Sequence, residues 1–92
     1  MSKKYICYYT DLCLLKWKDE PEGPEKYLIF DTKESAQRFA DATNELPFMG
    51  VWDDYVCVTS VTSEVEDYVN YINATHLIPV MNGDDVELKE VD

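Results

Sequence analysis

A chain of 92 residues has room for one hydrophobic core and not two, and 46% hydrophobic residues with 13% aromatics let it order that core without a metal. Nineteen acidic against eight basic residues give a formal net charge of -11, which argues against direct binding to nucleic acid or to an anionic membrane. No apolar run approaches the roughly 18 residues of a membrane span, the start lacks a signal-peptide pattern, and Cys7, Cys13 and Cys57 form no C-x-x-C, so a cytoplasmic protein of a reducing compartment is expected.

The expected organisation is a single domain over residues 1–92: an N-terminal hairpin (1–18), an acidic Pro/Gly loop (19–25), a βαββαβ core (26–81) and an acidic C-terminal hairpin or tail (82–92). Lys3 to Thr10 and Leu12 to Lys18 are rich in Tyr, Ile, Leu and Trp and read as strands bent at Asp11. Tyr5, Tyr8, Tyr9 and Trp17 are read there as core and strand packing. Two prolines and a glycine among charges make 19–25 a surface loop, and Tyr27-Leu28-Ile29-Phe30 is a strand buried on both faces.

Asp31, three residues before Glu34, gives a capping-box start to a helix beginning near Thr32 or Lys33. Ala36, Phe39, Ala40 and Thr43 fall on one stripe, Arg38 is spaced to pair with Glu34 and Asp41 on the opposite face, and Pro47 stops the helix soon after Asn44. Phe48–Trp52 and Tyr55–Val61 read as strands about an Asp53-Asp54 turn. Ser63 with Glu66 opens a second helix whose buried stripe is Val65, Tyr68, Val69 and Ile72. His76–Met81 is a strand in which Pro79 marks an edge or a bulge, and Asn82-Gly83 turns the chain into a last strand, Val86–Val91.

That order predicts a two-layer α+β domain of ferredoxin-like plan, with a mixed or antiparallel sheet, two helices on one face and the N-terminal hairpin extending or flanking it. No catalytic residue, cofactor or metal is expected. His76 is the only histidine and has no spacing to a cysteine that asks for catalysis. Asn82, Asp84, Asp85 and Glu87 lack the EF-hand register, and three glycines are too few for a phosphate-wrapping loop.

What remains is charge, and it is unevenly placed. Residues 1–38 carry seven bases and seven acids, whereas residues 39–92 carry twelve acids and the single base Lys89. On the second expected helix Glu64, Glu66 and Asp67 have no neighbouring base, and Asn70 and Tyr71 adjoin them. These residues, with Asp53, Asp54, Asp84 and Asp85, form the expected partner-binding surface. In size, acidity and lack of a catalytic motif, residues 1–92 resemble phage-encoded anti-CRISPR or anti-restriction inhibitors and the bacterial immunity proteins that cap nuclease toxins. The resemblance implies a nucleic-acid mimic that occupies a basic, nucleic-acid-binding surface of another protein and blocks it. The alternative reading is a non-catalytic structural or regulatory module that self-associates, as a homodimer, through an uncovered sheet face or the Tyr-rich hairpin, its charge serving solubility.

Overall fold

The computed structural model describes residues 4–10, 14–18, 22–46, 55–61 and 71–91. In chain order these form β1 (Tyr5–Tyr9), β2 (Lys16–Lys18), β3 (Glu25–Phe30), α1 (Lys33–Asn44), β4 (Val56–Ser60), β5 (Tyr71–Asn73), β6 (Leu77–Asn82) and β7 (Asp85–Glu90). The domain is α+β, with mostly antiparallel strands and one helix among the described residues.

The larger sheet runs β2-β3-β1-β4, and β5 joins β3 in parallel off that path. The N-terminal strand therefore lies inside the sheet, between β3 and β4, and does not flank it. Its composition explains the position: Ile6 and Cys7 point to opposite faces and are both buried, the pattern of an internal strand. Among the described residues the expected N-terminal hairpin shows one bridge, Tyr8 opposite Leu14, and a hydrogen bond from the Leu15 N–H to the Cys7 carbonyl at 3.0 Å. Beyond it β2 pairs with β3, setting Lys16 opposite Tyr27.

Alternation along the strands sorts the side chains. Cys7, Leu28, Phe30, Val56 and Ala74 meet Ala36, Phe39 and Ala40 of α1 in the main core, with Tyr5, Tyr9, Trp17 and Ile72 packed at its margin. Ile6 and Ile29 form a second, smaller cluster with Leu14, Tyr27 and Val61. Phe30 and Phe39, both fully buried, meet edge to face with ring centroids 5.2 Å apart. Burying each such ring contributes about 1.5–3 kcal/mol, and the aromatic contact about 0.5–1.5 kcal/mol more.

The helix forms where the periodicity places it and buries the expected stripe, Ala36, Phe39, Ala40 and Thr43, together with Ser35. Its N-cap is Thr32, not Asp31: Thr32 Oγ1 accepts the Ser35 N–H at 3.1 Å, and the Ser35 hydroxyl donates back to the Thr32 carbonyl at 2.9 Å. At the other end the Asn44 amide clasps the backbone of Val56, donating to its carbonyl at 3.1 Å and accepting its N–H at 2.8 Å. That clasp fixes α1 across β4.

The expected second helix, residues 63–72, falls mostly outside the described residues, as does the Phe48–Trp52 strand; only its end can be compared. Tyr71 and Ile72 are not helical. They belong to β5, held by the parallel ladder to β3 and by the Ala74 N–H on the Ile29 carbonyl at 2.8 Å. An aromatic next to a β-branched residue suits a strand, and the sheet pairing overrides the helical spacing of Ile72.

β6 and β7 make a separate two-stranded sheet. Asn82 pairs with Asp85, so Gly83 and Asp84 are the two turn residues. Gly83 has φ 65°, and no atom lies within 4 Å of the place a Cβ would take, so the positive φ alone favours glycine there. Leu77, Val86 and Leu88 carry the main core onto this hairpin, and α1 packs against β6. Among the described residues no helix is long and apolar enough to cross a membrane.

Candidate partner-binding surface

Of the nine residues expected to bind a partner, Asp53, Asp54, Glu64, Glu66, Asp67 and Asn70 lie outside the described residues. Tyr71, Asp84 and Asp85 are described, and they fall in different sheets: Tyr71 opens β5 in the larger sheet, and the two aspartates form the tip of the β6–β7 hairpin.

Tyr71 is 53% exposed and neighbours a polar latch that the sequence reading did not anticipate. There the Lys4 ammonium pairs with Asp31, whose other carboxylate oxygen accepts from Asn73 Nδ2 at 3.3 Å. The Asp31 N–H donates to Thr75 Oγ1 at 2.9 Å, and the Thr75 N–H donates to Asn73 Oδ1 at 3.1 Å. The hydrogen bond from Lys4, then that from Asn73, holds the Asp31 carboxyl below the ordinary carboxylate range, and the same contact with Asp31 raises the Lys4 pKa. Both side chains are more than two-fifths exposed, so solvent screens the pair and it adds little to stability. The latch joins the start of β1 to the ends of β3 and β5. Its members are 27 and 42 residues apart in sequence, and no local spacing announces them.

Arg38 belongs to the same end of the molecule. Its guanidinium reaches across to the Thr75 carbonyl at 3.0 Å and forms no ion pair with Glu34 or Asp41, contrary to the i,i+4 expectation. A carbonyl that closes the β5–β6 connection offers a fixed acceptor, whereas exposed helix pairs are worth only a few tenths of a kcal/mol. Asp41 takes a hydrogen bond from Gln37 instead, at 2.9 Å. The outer face of α1 thus carries Glu34, Asp41 and Glu45 as exposed acids without ion pairs among the described residues.

The hairpin is acidic in the same manner. Asp84, Asp85, Glu87 and Glu90 are exposed and form no ion pair with another described residue. Asp85 and Glu87 lie on one face of β7, roughly 7 Å apart at two strand residues. Glu87 accepts from Asn82 Nδ2 at 2.7 Å, which steadies its carboxylate. Glu87 is not among the residues expected on the partner surface, yet the Asn82-Gly83 turn signal, followed by alternation, places it beside Asp85. The carboxylates stand along the strand without converging: among the described residues no three His, Cys, Asp or Glu side chains gather to hold a metal.

The thiol of Cys7 is sealed in the core, donating to the Ala36 carbonyl at 3.5 Å, and burial pushes its pKa up to about 12. Cys57 lies on the other face of the sheet, where its proximity is the main cause of a raised Tyr8 pKa. His76 is exposed and uses its backbone carbonyl to accept the Val91 N–H at 2.7 Å. Comparison with protein-family models, curated proteins and solved structures finds no match to the chain.

Proposed function

We propose that this chain is a small acidic binding protein whose negative face occupies the basic, nucleic-acid-binding surface of another protein and blocks it. The observation that carries the reading is the segregation of charge. Described ion pairs lie within the first 31 residues, and the described acids of the C-terminal half stand exposed without one. Carboxylates at two-residue spacing on a steadied strand can meet a series of Lys and Arg side chains, the groups that normally hold phosphates. Long-range attraction then steers association, and salt weakens it.

The test uses two charge-reversed variants, Asp84→Lys/Asp85→Lys/Glu87→Lys and Glu64→Lys/Glu66→Lys/Asp67→Lys, each checked for folding. Proteins captured on the wild-type chain at low salt are identified, and their binding to a labelled oligonucleotide is titrated with the chain. Competition that is lost at high salt, and lost with either variant, supports the reading. Captured proteins that release no oligonucleotide, or that bind both variants equally, overturn it.

A further inference from the structure

The β6–β7 hairpin has two outer edges, and they differ in chemistry. A two-residue turn closed by Asn82 and Asp85 makes that pair a hydrogen-bonded one, so bonding alternates along the ladder. The Val91 N–H on the His76 carbonyl at 2.7 Å keeps the same phase. Residues 76, 78, 80 and 82 therefore bond inward to 91, 89, 87 and 85. The backbone groups of Leu77, Pro79 and Met81 point away from the hairpin on one side, and those of Val86, Leu88 and Glu90 on the other. Pro79 sits at an outward position, so it breaks no ladder bond and removes a donor from the β6 edge, a known means of blunting an edge against further strands. The β7 edge has no such block, and among the described residues nothing hydrogen-bonds to it. α1 packs against β6 and leaves β7 on the outside.

We propose that two copies of this chain pair through the open edges of β7, antiparallel about Leu88, to form a four-stranded sheet. The register is argued from charge. With Leu88 opposite Leu88 of the second copy, Glu87 faces Lys89 on both sides of the two-fold axis, and Val86 faces the stem of Glu90. A slip of one residue would set outward backbone groups against inward ones, and a slip of two, the next register that can bond, would set Glu87 against Glu87, an unfavourable cross-strand pair. The arrangement is isologous and uses the open β7 edge of each hairpin, so the paired hairpins close at two, and Pro79 at each outer edge of the four-stranded sheet opposes further strand addition. Six residues of strand bury less than a standard interface, so the dimer is weak. Each copy carries -11, and salt screens that repulsion more than it screens two ion pairs, so the dimer tightens as salt is added. This is the opposite of the salt response of the acidic face on a basic partner, so the two can fail separately.

Sedimentation equilibrium of the full chain up to about 1 mM, a range that reaches dissociation constants in the millimolar region, is the measurement. The expected result is a concentration-dependent dimer that strengthens with salt. Leu88→Pro places a second proline at an outward position and is expected to leave a monomer. Should that variant unfold, the charge pair decides: Lys89→Glu weakens the dimer on the order of tenfold through two like-charge contacts, and Glu87→Lys/Lys89→Glu, with the wild-type net charge, restores it. A wild-type chain that stays monomeric throughout, or a dimer indifferent to the charge pair, overturns the proposal.

Discussion

Around β1, β3 and β5 the charges of Lys4, Asp31, Lys16 and Glu25 meet one another across the sheet, and Arg38 closes on the Thr75 carbonyl; at the β6–β7 hairpin Asp84, Asp85, Glu87 and Glu90 meet no described cation. The first region has near-neutral composition and uses its charges to fasten strands that are distant in sequence. The second receives its hold from apolar side chains, Leu77, Val86 and Leu88, and leaves its carboxylates to solvent. Unpaired like charges oppose compaction slightly, so stability does not explain them. The proposed recognition of a basic surface would give them a use.

The comparison fails first if the two regions do not share a core. Phe39 lies in the cluster that reaches both, and Phe39→Ala is expected to cost about 3–5 kcal/mol, unfolding sheet and hairpin in one transition by urea denaturation followed by fluorescence and circular dichroism. Two separate transitions would mean that the hairpin is held on its own. Asn44→Ala acts on the first region, removing both bonds to the buried Val56 backbone, and should cost about 1–3 kcal/mol.

A smaller effect comes from the latch. Asp31 has a lowered folded pKa, so its contribution is complete above the unfolded carboxylate value of about 4 and is lost as pH falls through the lower folded value. The stability difference between wild type and Lys4→Met, followed by denaturation across that window, is small at its plateau and should shrink as the pH drops. A difference that grows on acidification would reverse the assigned sign. Smallest of all, Asp84→Asn/Asp85→Asn/Glu87→Gln should shift stability by less than about 0.5 kcal/mol, toward higher stability. A loss of more than that would show that these acids serve the fold.

The local parts of this molecule were legible in its sequence. α1 appears with the expected buried stripe, β3 is buried on both faces, the acidic hairpin turns at Gly83, and Pro79 marks an edge, because each depends on periodicity or on backbone limits of a single residue. What escaped is non-local. The placement of β1 between β3 and β4 follows from Ile6 and Cys7 being buried on opposite faces, which alternation alone does not separate from a flanking strand. Tyr71 and Ile72 carry a helical spacing but pair with β3. Arg38 had an acid within reach on its own helix and took a carbonyl 37 residues away, a choice no local spacing contains. The charge asymmetry was plain in the composition, yet only the observed ion pairs show which acids are already engaged.

If the exposed acids of the C-terminal half bind a basic nucleic-acid-binding surface, as proposed, the chain must compete with nucleic acid for that surface. A protein captured by the chain is loaded with labelled oligonucleotide and titrated with wild type and with Asp84→Lys/Asp85→Lys/Glu87→Lys, at low and high salt. Wild type is expected to displace the oligonucleotide at low salt, high salt to abolish the displacement, and the variant to fail at both. Equal displacement by the two chains, or displacement indifferent to salt, would contradict the proposal.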